Sequence, residues 1–173
     1  QRGQALTQLD LGSPTTQTRA DSLDATHQAV AIAVPSGLSV GLVQTSGVVW
    51  RQGSAGMPQT YATYQWVASP ATLVRQRLID FLSQQRPVFA SGLGNQTPIL
   101  RMNLQQFEQV FKSNGQSEGV LALQVVLTQG DVVLGSEVIY ERVAATSADA
   151  VAGAQALSTA SNRAAERVTT WVG

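Results

Sequence analysis

Two aliphatic segments joined by a turn signal constrain the fold of this sequence more than any other feature. In residues 120–128 every second residue is a large aliphatic one, namely Leu121, Leu123, Val125 and Leu127. Residues 132–143 also alternate, with Val133 and Ile139 on one side and Leu134, Val138 and Tyr140 on the other. Gln129-Gly130-Asp131 lies between the segments. This pattern predicts a long antiparallel hairpin, and such a hairpin needs further elements to cover its apolar side.

Two helices are predicted to supply that cover. The first begins at Ser69, a good N-cap, followed by Pro70 at the first helical position, and it ends before Pro87. Its apolar residues recur at helical spacing: Val74, Leu78, Phe81 and Leu82. The second begins near Thr146 or Ser147 as the cap, with Asp149 near its positive end. Its stripe is formed mainly by small residues: Val151, Ala154, Leu157, Ala164, Val168 and Trp171.

Further strands are predicted on composition and alternation. They cover residues 5–11, 29–34, 47–52 and 59–66, with a brief strand at 88–90 and a polar loop at 12–28. Residues 99–111 are ambiguous, because Leu100, Leu104, Phe107 and Phe111 form a helical stripe while Leu100, Met102 and Leu104 alternate as in a strand. The pattern alone slightly favours a helix there.

These elements predict an α/β (α+β) fold in which a mainly antiparallel sheet of about six strands is packed by two helices. We expect residues 1–173 to form one such single-domain sandwich, in which 1–28 include the first strand and the polar loop. A chain of 173 residues is within the ordinary size of one domain.

The charge is low and balanced. Only 13% of the residues are Asp, Glu, Lys or Arg, and the formal net charge is zero, against about 25% charged residues in an average domain. Lys112 is the only lysine. Binding to nucleic acid would require a basic patch, so we expect no nucleic-acid partner.

The residues that carry most enzyme chemistry are scarce. The chain has no cysteine, a single histidine at His27, and acidic residues that stand singly along it. We therefore expect no metal, no cofactor and no catalytic residues. Gly92-Leu93-Gly94 lacks the third glycine of a dinucleotide loop. Gly115-Gln116-Ser117-Glu118-Gly119 matches a nucleophile elbow, but that motif needs a strand before the serine and a helix after it. A turn of small polar residues is the simpler interpretation.

Four aromatic residues lie within one predicted hairpin: Trp50, Tyr61, Tyr64 and Trp66. Packing within the sheet is one explanation. The other is a partner-binding surface, because Trp and Tyr suit half-buried interface positions. On the second hypothesis at least one of the four is substantially exposed.

The order and spacing of the segments resemble the ABC-type transport auxiliary lipoprotein family (PqiC-like). The resemblance rests on the opening strand around Leu6-Thr7-Gln8-Leu9, on Val48-Val49-Trp50-Arg51 leading to Tyr64-Gln65-Trp66, and on the helix that follows Ser69-Pro70. It continues through Leu100-Arg101-Met102-Asn103-Leu104 to the hairpin and the C-terminal helix. It implies that residues 100–108 form a strand rather than a helix.

The resemblance also implies a role. Members are non-enzymatic periplasmic lipoproteins, anchored to the outer membrane by an acylated N-terminal cysteine. They serve beside an ABC permease and ATPase and an MCE-type protein in lipid transport between the inner and outer membranes. This chain has no such cysteine, so we expect one shortly before Gln1 in the full-length product, after a short apolar segment. A homo-oligomer is compatible with this role.

Two other functions are considered. A soluble periplasmic carrier would hold a lipid in its own closed apolar pocket of several hundred Å3. A serine hydrolase would use Ser117 as the nucleophile.

Overall fold

The computed structural model describes residues 6–13, 31–37, 39–92 and 94–173. Two helices, eight strands and one short 3-10 helix at Gly41–Gln44 lie within these ranges. The strands are β1 (Thr7–Leu9), β2 (Ile32–Ala33), β3 (Gly47–Gln52), β4 (Gln59–Trp66), β5 (Val88–Phe89), β6 (Ile99–Phe111), β7 (Ser117–Gln129) and β8 (Val132–Ala144). The helices are α1 (Pro70–Leu82) and α2 (Ala150–Val172).

The strands form one mixed sheet. Strands β7 and β8 continue it from one edge of β6, while the opposite edge of β6 pairs with β2 near its start and with β3 near its end. Among the described strands, β1–β4, β2–β5, β2–β6 and β3–β6 pair in parallel, and β3–β4, β6–β7 and β7–β8 pair antiparallel. The α+β class is confirmed. The prediction of about six strands in a mainly antiparallel sheet is wrong, because the sheet has eight strands and mixed pairing.

The count was too low because of two segments. Residues 88–90 were predicted only as a brief strand, and β5 has two residues, too few to show any periodicity. Residues 99–111 were ambiguous in pattern, and they form β6. Whether a strand pairs in parallel is decided by the path of the chain between strands, which local pattern does not record.

The hairpin of β7 and β8 forms around the predicted turn. The prediction that Val133 and Ile139 share a face is wrong, because the register shifts between Leu127 and Thr128, and Val133 is 63% exposed while Ile139 is buried. Gln129 pairs with Val132, so Gly130 and Asp131 form a two-residue turn. Gly130 has a φ of 58°, a positive angle that glycine adopts without strain. Leu121, Leu123 and Val125 are buried and give the sheet its apolar face.

Residues 99–111 form a strand, as the family resemblance implied, and not the helix that the residue pattern slightly favoured. β6 pairs with β7 along its whole length. The register shifts between Leu104 and Gln106, which adds one residue to the strand. This shift explains why Leu104 and Phe107, three residues apart, are both buried in the core and mimic a helical stripe.

Helix α1 begins and packs as predicted. The Ser69 side chain accepts a hydrogen bond from the Thr72 N–H at 3.3 Å, and Pro70 occupies the first turn. Val74, Leu78, Phe81 and Leu82 are buried. The helix ends at Leu82, well before Pro87.

Arg77 of α1 is buried, which the apolar pattern did not predict. Its guanidinium donates hydrogen bonds to the Leu11 and Gly12 carbonyl oxygens at 2.9 and 2.8 Å, and it contacts the Asn162 side chain of α2. The Ser158 hydroxyl of α2 donates to the same Leu11 carbonyl. These bonds connect the end of β1 to both helices, and they compensate for the burial of the charge.

Helix α2 differs from the prediction at its beginning. Asp149 is the N-cap, because its carboxylate accepts a hydrogen bond from the Ala152 N–H at 2.8 Å. Ser147, one of the two predicted caps, instead donates to the Asp149 carboxylate at 2.6 Å. Val151 is 44% exposed, so its assignment to the buried stripe is wrong, because the first turn of α2 turns Ala150, Ala152 and Gly153 toward the protein interior instead.

The rest of the α2 stripe lies against the sheet. Ala154, Leu157, Ala164 and Val168 are buried, and Trp171 is partly buried against the core. The contact is close: a Cβ atom on Gly119 of β7 would lie 2.9 Å from the Leu157 backbone nitrogen. The small residues in this stripe are therefore required by the distance between helix and sheet.

Several predicted features lie wholly or partly outside the described residues. These are Ala5 of the first strand, Ala29 and Val30 of the second, His27, and most of the loop at 12–28. Neither helix in the described part of the chain is long and apolar enough to cross a membrane.

We predict that Leu157→Asp lowers the free energy of unfolding by at least about 3 kcal/mol, because it places an unpaired carboxylate where a side chain is 1% exposed. The matched control is Val151→Asp on the same helix, which should change it by no more than about 0.5 kcal/mol. Urea unfolding followed by circular dichroism measures both. Equal effects of the two substitutions would contradict the packing described for α2.

Candidate functional site

Three of the four aromatic residues singled out in the sequence form one row. The rings of Trp50 and Tyr61 lie 6.2 Å apart, and those of Tyr61 and Tyr64 lie 5.9 Å apart. Phe111 of β6 extends the row, with its ring 5.9 Å from that of Trp50 and perpendicular to it. We call these four residues, Trp50, Tyr61, Tyr64 and Phe111, the aromatic row.

Trp66 does not belong to this row. Its ring packs on Phe107 at 5.4 Å, and the residue is 1% exposed. Trp66 is therefore a core residue, and its assignment to a partner-binding surface has no support in its position.

The row depends on an irregularity in the pairing of β3 and β4. Residues three apart on a regular strand, such as Tyr61 and Tyr64, point to opposite faces. Here the β3–β4 register shifts between Gly47 and Val49, which brings both tyrosine rings to the same side. Phe111 was missed because it comes from β6, which the topology places beside β3.

The members of the aromatic row are half-buried. Trp50, Tyr61, Tyr64 and Phe111 are each partly covered by the protein, and all of them keep some access to solvent. The expectation that at least one predicted aromatic residue is substantially exposed is therefore wrong. A partner could therefore contact only part of each ring.

A buried polar network holds the row against helix α2. The Tyr61 hydroxyl donates to Gln109 Oε1 at 2.6 Å. Gln109 Nε2 donates in turn to Ser117 Oγ at 2.8 Å and to the Asp149 carbonyl oxygen at 3.0 Å. Gln109 is 1% exposed, so these bonds are needed to satisfy its amide. Tyr61 is thereby fixed relative to the start of α2.

Ser117 belongs to this network and lacks the geometry of a nucleophile elbow. It is buried, and its hydroxyl accepts a hydrogen bond from Gln109. The same hydroxyl donates to the Ser147 carbonyl oxygen at 3.4 Å. It begins strand β7, whereas the elbow places a helix after the serine. His27, the single histidine, lies outside the described residues. In this position the Ser117 hydroxyl is part of the hydrogen-bond network in the protein interior.

Asp149 is a charged residue that contacts this network, since its backbone carbonyl accepts from Gln109. The hydrogen bond from Ser147 lowers the pKa of the Asp149 carboxyl, and the backbone N–H groups of Ala152 and Val151 act in the same direction. Burial raises the pKa of Tyr61, and the Asp149 carboxylate and the Tyr64 phenol add to the rise. At neutral pH the site therefore contains a neutral phenol and an anionic cap.

The sheet face opposite the helices carries two ion pairs, and we call it the polar face. Arg51 contacts Glu108, with Nε–Oε1 at 2.7 Å and Nη2–Oε2 at 3.0 Å. Arg142 pairs with Glu118 one strand pair further along. Both carboxylates are nearly buried, and both pairings satisfy them.

A cavity of about 570 Å3 lies on this face beside the register shift of β6. Its apolar lining residues include Val40, Leu42 and Ala122, and its polar ones include Arg51 and Glu108. Arg51 also donates to the Gly56 carbonyl oxygen at 3.0 Å. The guanidinium is thus occupied by protein acceptors.

The acidic residues remain scattered in three dimensions. In the ranges given above, no three His, Asp or Glu side chains come together as a metal site. Neither the aromatic row nor the cavity presents a set of donors that would select a metal ion or a cofactor.

Two of the solved structures that this chain resembles illustrate its fold. The first is protein XCC0632 from Xanthomonas campestris, of the family DUF330, with 15% sequence identity, a TM-score of 0.72, and coverage of 84% of this chain and 85% of that one. The second is an uncharacterized protein with 11% identity, a TM-score of 0.74, and coverage of 98% and 99%. No family model matches the sequence, and no curated protein matches it. At these identities the likeness establishes the fold and not the activity.

We predict that Tyr61→Phe lowers the free energy of unfolding by about 1–2 kcal/mol, because Gln109 Oε1 loses its donor inside the protein. Tyr64→Phe removes a hydroxyl that has no hydrogen-bond partner among the described residues, and it should change stability by less than about 0.5 kcal/mol. Thermal and urea unfolding of both variants provide the measurement. A larger effect at Tyr64 than at Tyr61 would contradict the network.

We also predict a loss of stability at alkaline pH that depends on Tyr61. The folded chain keeps the Tyr61 proton above the ordinary pKa of 10.0, where the unfolded chain releases it. This stabilisation is complete below that pH and is lost as the pH rises through the raised pKa. Between about pH 9 and 11, the unfolding free energy should fall more steeply for the unaltered chain than for Tyr61→Phe. If the unfolding free energies of the unaltered chain and of Tyr61→Phe changed in parallel with pH, the pKa of Tyr61 would not be raised by folding.

Proposed function

We propose that this chain is a non-enzymatic accessory lipoprotein of the bacterial periplasm. In this role it is anchored to the outer membrane by lipid on a cysteine upstream of Gln1. It serves an ABC permease and ATPase and an MCE-type protein in lipid transport between the inner and outer membranes. Its own contribution is to bind the partner proteins and position them.

The observation that carries this proposal is the arrangement of the segments on which the family resemblance rests. The opening strand, the β3–β4 hairpin, the helix capped by Ser69, strand β6, the long hairpin and the small-residue helix occur in the expected order. They form one sheet with both helices contacting it. A binding function also agrees with Ser117, whose hydroxyl is buried and engaged in the protein interior.

The aromatic row is the partner-binding surface within this proposal. Trp50, Tyr61 and Tyr64 are held rigidly by one another and, through Tyr61, by Gln109. Rigid aromatic rings lose little conformational entropy on binding and dominate many interfaces. Because the chain carries no net charge, apolar contact rather than electrostatic steering would drive this association.

The carrier hypothesis receives less support. A carrier needs a closed apolar pocket, whereas the cavity of about 570 Å3 is lined by the Arg51–Glu108 ion pair and two glutamines as well as aliphatic residues. An acyl chain in contact with these groups would remove water from them without offering hydrogen bonds in return, which costs free energy. Native mass spectrometry of the purified protein distinguishes the two functions, since a carrier retains a bound lipid.

The test is capture of the partners from the native envelope. The full-length gene product, tagged at its C-terminus, is solubilised in mild detergent, and the co-purified proteins are identified by mass spectrometry. We expect an MCE-type protein and its permease and ATPase, and we expect metabolic labelling with a fatty-acid analogue to mark the tagged protein. Capture of neither partner, or a full gene that encodes a cytosolic start without a lipidated cysteine, would contradict the proposal.

The contribution of the aromatic row is tested by Tyr64→Ala, which should weaken this capture at least about tenfold. The matched control is Thr63→Ala, the exposed neighbour on the same strand, which should leave capture unchanged. Melting temperatures of both variants establish that they are folded. Equal capture by the two variants would remove the row from the interface while leaving the proposed function open to the first test.

A further inference from the structure

Strand β8 is a free edge of the sheet. It pairs with β7 along one side, and the described residues place no strand along the other. With 13 residues it is long for an edge. An edge strand presents backbone N–H and C=O groups to solvent, and proteins usually shorten, charge or cover such edges. The free side of β8 can therefore accept another strand.

The side chains along this edge are unusually apolar. Val138 and Tyr140 are 59% and 49% exposed. Both side chains lie on the polar face of the sheet. Near the turn, Val132, Val133 and Leu134 are also more than half exposed. A run of exposed apolar residues of this kind marks an interaction surface more often than a solvated one.

The charged residues of β8 differ in whether they form an ion pair. Glu141 is paired with Arg167 at 3.1 Å, and Arg142 is paired with Glu118. Glu137 is exposed, and it has no hydrogen bond or ion pair with any residue in the described part of the chain. It lies on the side of β8 that faces the helices, two residues from the buried Ile139.

The pattern of β8 disfavours a second copy of the same chain as the occupant. In an antiparallel pair, residues opposite each other share a face of the sheet. The residues on the face of Glu137 are Gly135, Glu137, Ile139, Glu141 and Val143, and none is basic. A twofold pair of β8 strands would thus place Glu137 opposite a neutral residue or another glutamate, and like charges in this position are destabilising.

We propose that the free edge of β8 binds an extended segment of a partner protein in which apolar residues alternate with Lys or Arg. The segment adds a strand to the sheet through backbone hydrogen bonds. Its apolar side chains contact Val138 and Tyr140, and a basic side chain on the other face pairs with Glu137. The inference does not depend on the proposed function, because it uses only the edge, its exposed side chains and its unpaired charge.

The test uses labelled synthetic peptides of about six residues, an ordinary strand length, with the 173-residue chain. One peptide alternates Val with Lys and the other alternates Val with Glu. Fluorescence anisotropy should show binding of the Val-Lys peptide at least about tenfold tighter than of the Val-Glu peptide. Amide hydrogen exchange should slow within Val132–Ala144 when the Val-Lys peptide is bound.

Charge exchange gives the decisive result. Glu137→Lys should invert the preference toward the Val-Glu peptide, and Glu137→Gln should reduce the discrimination between the two. The control Glu166→Lys changes the net charge equally at an exposed position of α2, and it should leave the preference unchanged. Since Glu137 is exposed and forms no ion pair within the described part of the chain, its variants should keep the melting temperature of the unaltered chain.

Three results would overturn the proposal. The first is no binding of the Val-Lys peptide up to about 1 mM. The second is a preference that Glu166→Lys inverts as strongly as Glu137→Lys, which would reflect net charge alone. The third is a dimer in sedimentation experiments that dissociates when Val138 is replaced by Lys, since a second copy would then occupy the edge.

Discussion

The close approach of helix α2 to strands β6 and β7 is the constraint on which the rest of the structure depends. At two positions the absence of a side chain allows it: Gly119 on the sheet faces the Leu157 backbone, and Gly153 on the helix faces the Gln109 side chain. A Cβ atom on Gly153 would lie 2.5 Å from Gln109 Cδ. Because protein interiors are packed to crystal-like density, a methyl group at Gly119 would force the helix and sheet apart, and one at Gly153 would displace the buried Gln109 amide.

Gln109 occupies the space that Gly153 leaves, and this gives a buried amide an organising role. It joins the hydroxyls of Tyr61 and Ser117 to the backbone at the start of α2. The aromatic row is consequently coupled to helix packing rather than resting on the surface as an independent patch. Arg77 plays a comparable part at the other side of the molecule, where it connects the end of β1 to both helices.

The few charges are distributed differently around the aromatic row and along the edge of β8. Most charged groups near the sheet are neutralised locally, as in Arg51–Glu108 and Arg142–Glu118. The aromatic row then relies on apolar contact, whereas the edge of β8 combines backbone hydrogen-bonding groups with the unpaired Glu137. Two surfaces with different chemistry allow one small chain to contact two different segments of an assembly.

Local pattern was sufficient for the elements whose information is local. The alternation around Gly130 predicted the β7–β8 hairpin, and Ser69 with Pro70 predicted the start of α1, because turns and caps are specified by neighbouring residues. The identity of β6 as a strand came from the family resemblance. Only the tertiary structure decided the parallel pairing of β1, β2 and β3, the burial of Trp66 and Arg77, and the meeting of Phe111 with Trp50. Each of these depends on contacts between residues distant in the sequence, and a register shift of one residue, as at Gln105, reverses which face a side chain occupies.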